Sequence, residues 1–303
     1  MGGATCSTDA GVRAYANSRG FAGAYRFSSA ALQIEVMADD EDGKKRNDHW
    51  YSVERSFDRL EDAETVGRLA AERALARLGA RKVATREVPV IWENKLAQRL
   101  LGMIARAASG EALYRRQTFL MDLDGEEIAS RLVNVVDDPH LPGRLGSVPF
   151  DGEGVTTRRN SIVVDGGFQG FLFDTYTARK TGRRTTGSAQ RGVASPPGVG
   201  TSNLILQPGT STYQEILGSV KDGLLITDLM GFGVNITTGD FSQGAAGYWI
   251  EHGQLAYPVS EINVSETLQE MLLGIELLGN DVLFRGTTGA PSLRMARLMV
   301  SGL

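Results

Sequence analysis

Apolar positions along the chain follow two periods, and the change from one to the other marks the elements. From Asp228 to Ile262 the sequence reads DLMGFGVNITTGDFSQGAAGYWIEHGQLAYPVSEI. Val234, Ile236, Phe241, Tyr248, Ile250, Leu255 and Tyr257 recur there at a rough period of two between glycines. That pattern predicts short strands joined by tight turns, in a curved sheet or a surface that faces a peptide or partner. Glu251-His252-Gly253-Gln254 lies between two apolar runs and predicts a hairpin, with Gly253 free to take positive φ. Alternation from Val12 to Val36 predicts two or three strands turning at Asn17-Ser18-Arg19-Gly20, then a charged loop from Asp39 to Asp48.

The helical period appears in two long stretches. Ala63, Val66, Ala70, Ala74 and Leu78 form a stripe over Asp62 to Leu78, with Gly79 as its stop. Leu96, Leu100, Leu101, Ile104 and Ala107 form another over Glu93 to Ala108, closed by Ser109-Gly110. VPVIW, just before it, predicts a short buried strand. Asp165-Gly166-Gly167 predicts a second hairpin, Asn203 to Leu206 a strand, and Ser211 to Val220 a short helix capped by Ser211 or Thr212. Arg179 to Gly200, basic and rich in Gly, Ser and Pro, predicts a mobile surface loop. Glu266 to Leu278 predicts a helix, equally suited to the core or to a dimer interface. Ser292 to Val300 alternates like an edge strand. Strands outnumber helices and adjoin by short turns, so the expected class is α+β, with largely antiparallel curved sheets and a few flanking helices.

Composition narrows the function classes. With 303 residues, 42% apolar and 22% charged, the chain fits a soluble globular protein, and its net charge of -4 gives no basic footprint for nucleic acid. A single cysteine, Cys6, excludes an intrachain disulfide framework and suits a reducing cytosol. No apolar run is long enough to span a membrane, and the N-terminus lacks the pattern of a secretory signal.

The run GFGVN-x-x-TGDFS-x-GA-x-G-x-WIE-x-G-x-x-x-x-PV-x-E, together with AYANSRGF, VPVIWENKLAQRLLGMIARAASGEALYRRQTFL and DDPHLPGRLGSVPFDGEGVTTRRNSIV, resembles the TldD/PmbA family in its C-terminal portion. The likeness is greater to the PmbA (TldE-type) branch. It runs from about Arg13 to the end and implies two regions. Residues 1–60 would be the end of an N-terminal region, with strands, and residues 61–303 a PmbA/TldD-like C-terminal domain.

The resemblance implies a cytoplasmic protease complex acting on unfolded peptides, with zinc held by a TldD-type partner through a HExxxH helix and a later cysteine. Zinc needs imidazoles, carboxylates or thiolates converging on one point, with a position left for water. This chain has only His49, His140 and His252, none within helical reach of another. In the helix that resembles the motif helix, Ile104, Ala105 and Ser109 stand where the histidines and glutamate would be, and Arg285 to Pro291 holds no cysteine. No catalytic, cofactor-binding or metal residue is therefore assigned. Zinc is expected in the partner, and the chain itself is expected to form a heterodimer with a TldD-like subunit or a homodimer.

The remaining chemistry admits other readings. Asp151 and Glu153, paired in a Gly-bracketed turn, suit either acid–base work in a stand-alone hydrolase or a turn held by Asp hydrogen bonds. Arg179-Lys180 and Arg183-Arg184 suit an acidic partner or a solvated loop. Cys6 has no neighbouring base, and Gly231-x-Gly233 lacks the context of a dinucleotide fingerprint. A homodimeric interaction protein without activity is the third expectation.

Overall fold

The computed structural model describes residues 2–302. The chain opens with an antiparallel meander of β1 (Ala4–Ala16), β2 (Ala22–Asp39) and β3 (Lys45–Glu54). Asn17 makes the first turn, its Oδ1 accepting from Arg19 N at 3.0 Å, as Asx residues do at chain reversals. The expected charged loop shrinks to a tight turn before β3. Helix α1 (Ala63–Leu75) is capped by Asp62, which accepts from Thr65 N at 2.8 Å. The helix packs across β2 and β3, and Val66, Ala70 and Ala74 are its buried face.

The second unit begins with β4 (Arg86–Trp92), and the chain turns at Glu93 into α2 (Asn94–Ala107). Then come α3 (Gly110–Arg115), β5 (Val135–Asp137), β6 (Asn160–Val164), β7 (Gly167–Phe168), α4 (Thr175–Lys180), β8 (Ala189–Gln190), β9 (Gly198–Val199), β10 (Leu204–Leu206) and α5 (Tyr213–Gly218). The chain finishes with β11 (Asp222–Met230), β12 (Asp240–Glu251), β13 (Gln254–Thr267), α6 (Leu268–Leu273), β14 (Ile275–Leu278), β15 (Leu283–Arg285), β16 (Thr288–Ala290) and β17 (Leu293–Ser301).

One sheet runs β13-β12-β11-β4-β17-β14, and β13 also pairs with β17. These pairings close β13, β12, β11, β4 and β17 into a barrel, with β14 attached outside the ring. The other sheet runs β15-β16-β10-β5-β6-β7. Pairing is antiparallel except for β4–β11 and β10–β16, so the architecture is α+β with largely antiparallel sheet. Helix α2 touches β11 on one side and β10, β15 and β16 on the other, which places it between the two sheets. Its buried residues, Leu96, Ala97, Leu100, Leu101, Met103, Ile104 and Ala107, cover more than one stripe, as a central helix requires. Alternation along β4 divides the core. Val88, Val90 and Trp92 join the main cluster, whereas Ile91 packs with Ile216, Leu217 and Val220 beneath α5.

The glycines of β12 answer to barrel curvature. A Cβ on Gly247 would stand 1.8 Å from the Leu225 carbonyl oxygen, beside the bulge between Ile226 and Asp228. Both edges of β12 are taken, by β11 and β13, so this strand is a wall and offers no edge to a peptide. The hairpin expected at Glu251–Gln254 forms, with His252 at φ 52° and Gly253 at φ 76°.

Four expectations change. The terminal strand β17 is no edge: it lies between β4 and β14, with Leu293, Met295, Leu298 and Val300 fully buried. The helix expected over Glu266–Leu278 is only α6, because the chain extends again as β14. Leu268, Met271 and Leu272 are core, which leaves Leu273 as the exposed leucine of the helix. Ser109 does not merely end α2: its side chain accepts from Ala112 N and starts α3. Arg179–Gly200 is only partly loop, since Ser188 and Ala189 are buried and β8 pairs with β9.

Candidate functional site

Helix α2 is the element on which family chemistry would sit. Ile104 is 3% exposed and packed in the main core, and Ala105 packs against the same cluster. Neither has a lone pair to give a metal. The Ser109 hydroxyl accepts from Ala112 N at 3.1 Å and is committed to capping α3. These positions do not fit a zinc ion. The histidines fall in three separate places. His49 is on β3, His140 is in the loop after β5 with its Nε2 3.2 Å from Thr157 Oγ1, and His252 is at the exposed tip of the β12–β13 hairpin. Among the described residues, no group of three or more His, Cys, Asp or Glu side chains is placed to hold a metal.

The other half of α2 borders a polar junction between the N-terminal sheet and the barrel. A cavity of about 310 Å³ opens there, lined by Asp48, His49, Arg77, Lys95, Gln98, Arg99 and Asp228. Asp48 is buried at its centre, with Arg77 Nε at 3.3 Å, Arg73 Nε at 3.5 Å and Lys95 Nζ at 3.9 Å. Burial pushes its carboxyl up, but Arg73 and Arg77 outweigh that and hold it below the usual carboxylate range. Burial, and then Arg73, bring the Lys95 ammonium down to about 8. Burial and the Lys95 charge also hold His49 below the usual histidine range. Arg73 forms a two-bond pair with Glu93, at 2.7 and 3.0 Å.

Two of these cations, Arg77 and Lys95, together with Arg285, close the outer edge of β3. The carbonyl of Asn47 accepts from Arg77 Nη1 at 2.8 Å, that of His49 from Lys95 Nζ at 3.5 Å, and that of Tyr51 from Arg285 Nη1. Arg285 lies over the rings of Trp50 and Tyr51, at 4.2 and 4.8 Å from their centroids. The placement of these cations joins one unit to the other. Lys95 and His49, both lowered by burial, are the titratable pair of the cleft.

A larger groove, of about 960 Å³, runs between the end of β1 and the loops around β8 and β9. Tyr15, Tyr25 and Phe150 supply aromatic surface, and Asp137, Arg191 and the glycines of 187–200 supply polar and backbone surface. Asp137 is 3% exposed, and burial raises its carboxyl to about 6 although Ser202 N and Oγ both donate to it.

Asp151 and Glu153 are brought near this groove but are held by local bonds. Asp151 accepts from Glu153 N, Val155 N and Ala189 N, the turn-holding alternative for this residue. Glu153 accepts from Thr175 N and Oγ1 at the start of α4. Arg179 and Lys180 occupy the last turn of α4, and Arg183 pairs with Asp124. Cys6 is exposed on β1. Sequence reasoning missed Lys95, Asp48 and Arg285 as a group. Lys95 is one of several polar residues on α2, beside Asn94, Gln98 and Arg99, so nothing in the sequence singled it out.

Comparison with known proteins agrees with this architecture. The model of the PmbA/TldA metallopeptidase C-terminal domain matches residues 85–302, and that of the central domain matches residues 3–78. The chain is 37% identical over 301 residues to the metalloprotease PmbA homolog of Haemophilus influenzae, covering 99% of this chain and 64% of that protein. It is 36% identical over 292 residues to metalloprotease PmbA of Escherichia coli O157:H7, covering 96% of this chain and 63% of that protein. The chain thus spans less than two thirds of the length of these relatives. Among solved structures, a Bacteroides thetaiotaomicron protein described as a candidate modulator of DNA gyrase superposes with a TM-score of 0.92 at 30% identity, covering 99% of this chain and 66% of that one. TldE of Thermococcus kodakarensis superposes at 0.88 with 23% identity, a likeness of fold, covering 99% of this chain and 69% of that one. The chain belongs to the PmbA/TldD metallopeptidase family, in its PmbA branch.

Proposed function

We propose that this chain is the PmbA/TldE-type subunit of a cytoplasmic two-component protease, and that a TldD-type partner holds the zinc. Together the two subunits degrade or mature unstructured peptides. The observation that carries this reading is the filling of the motif-helix positions: Ile104 and Ala105 pack into core and Ser109 caps α3. A metal cannot replace buried hydrocarbon without loss of packing. The groove beside β1, with aromatic walls and glycine-rich backbone, supports a role in receiving an extended peptide. Such a segment offers its backbone groups whatever its sequence, which suits a protease limited by access. No described helix is long and apolar enough to cross a membrane.

Co-expression with a TldD-type subunit, followed by pull-down, metal analysis and a peptide-cleavage assay, tests the reading. The expected result is a complex that contains zinc and cleaves an unstructured peptide, and a chain that alone does neither. Stoichiometric zinc and cleavage by the purified chain alone would overturn it.

A further inference from the structure

The end of β5 carries an inference about what the large groove reads. Asp137 is the last residue of β5, paired with β10 on one side and β6 on the other, and it lines the groove. One carboxyl oxygen, Oδ1, accepts from Ser202 N at 2.7 Å and from Ser202 Oγ at 2.8 Å. Among the described residues, no donor reaches the other oxygen, Oδ2, and it is not one of the fully enclosed polar atoms. That oxygen therefore opens into the groove.

Holding Ser202 needs an oxygen but no charge, since an amide or hydroxyl oxygen would accept the same two bonds. A carboxylate taken out of water without a cation is costly, and among the described residues no cation bears on Asp137. The charged groups around it are engaged elsewhere. Asp138 accepts from His140 N and lies 3.6 Å from Arg159 Nε, while the His140 ring meets Thr157. Arg191 stands over the Tyr15 ring, 5.7 Å from its centroid, and Arg13 lines the groove from β1. Asp151 is held by three backbone N–H groups. The wall suits a long alkyl cation: Tyr15, Tyr25 and Phe150 line it, with Phe150 edge-on to Tyr25 at 5.2 Å. Aromatic faces take the stem of such a group and attract its charge.

We propose that Asp137 is a specificity-determining residue of the groove, and that its Oδ2 receives an alkylammonium group of the bound peptide, from a lysine side chain or from the amino terminus. The inference rests on the reading of this groove as peptide-receiving and adds a charge preference to it. Binding supplies the cation that the buried carboxylate lacks. The occupied groove thus keeps Asp137 ionised at pH values where the empty one lets it take up a proton.

Calorimetric titration of the whole chain with unstructured, C-terminally amidated peptides tests it. One series is N-acetylated and carries a single lysine at each position in turn. A second has norleucine in place of that lysine, and a third has no lysine but a free amino terminus. At about pH 7.5 a lysine peptide or the free-amino peptide should bind about tenfold or more tighter than the acetylated norleucine peptide, and whichever does so identifies the source of the ammonium. Asp137→Asn keeps an acceptor for Ser202 and should bring that ratio to about one. In the unmutated chain the ratio should shrink as pH falls through about 6, because the carboxyl takes up a proton while the ammonium stays charged. This pH profile decides the matter without a variant if Asp137→Asn does not fold. Equal binding of lysine, norleucine and free-amino peptides leaves the groove as a peptide site and overturns the assignment of Asp137. A preference that survives Asp137→Asn, or one that ignores pH, overturns it as well. If none of the peptides binds, the reading of the groove itself fails, and the assignment with it.

Discussion

The three-stranded N-terminal sheet has two outer edges, and the protein treats them in opposite ways. Along β3 the outward carbonyls of Asn47, His49 and Tyr51 are taken by Arg77, Lys95 and Arg285, side chains from just after α1, from α2 and from β15. Asp48 compensates the first two of these cations from within the same strand. Among the described residues, no side chain from elsewhere reaches the outward groups of β1, and its residues are small or neutral apart from Asp9 and Arg13. One edge is sealed by long cations supplied by the rest of the fold. The other is unpaired among the described residues. A sheet edge is thus defined less by its own strand than by what the neighbouring elements bring to it.

The largest effect is expected from unsealing β3 at Arg285. Its side chain is 4% exposed, and Arg285→Ala would leave the Tyr51 carbonyl unpaired and remove the stacking on Trp50. A loss of about 3 kcal/mol is expected, read as a lower urea midpoint with unchanged slope. If Arg285→Ala proves neutral, the seal is not what holds the two units together.

Lys95 sharpens the comparison because its seal is under tension. Its ammonium is lowered from 10.5 to about 8, so between those values the unfolded chain binds more protons and stability rises with pH. Below pH 8 the whole penalty is present. Lys95→Met should therefore stabilise the chain at pH 7 by about 2 kcal/mol, with the gain fading as pH rises past about 8 and gone near 10.5. Thermal melts of both forms across that range check the sign.

The smallest effect belongs to the open edge. Val12 is 63% exposed, and Val12→Lys should change unfolding free energy by less than about 0.5 kcal/mol in a urea melt. A large loss of stability would mean that β1 is sealed in its own chain after all.

The local elements were legible in the sequence wherever one period governed. The stripe from Ala63 to Leu78, the Asn17 turn and the Glu251–Gln254 hairpin each follow from residues within one or two turns of each other. Barrel closure was not legible, because β17 alternates Leu293, Met295, Leu298 and Val300 as an edge strand would, and nothing near it names β4 and β13 as its neighbours. Helices α3 and α4 escaped because each is too short for a stripe and is announced only by a cap, Ser109 or Asp174. The junction itself was not visible, because Lys95 shares α2 with Asn94, Gln98 and Arg99 and does not stand out among them. Arg285 reaches Tyr51 across 234 residues of chain, a separation that no spacing rule covers. Family resemblance supplied what periodicity lacked, through the motif helix and the residues that occupy its key positions.

The barrel also constrains the order in which this molecule matures. Strand β17 fills the place between β4 and β13, although roughly two hundred residues separate it from β4, and pairing over such distances slows folding. During synthesis, β4 and α2 emerge long before the strand that completes their ring, with Val90 and Trp92 awaiting Met295 and Leu293. The nascent chain must carry that half-built wall until β17 leaves the ribosome, an interval in which a chaperone would find its substrate.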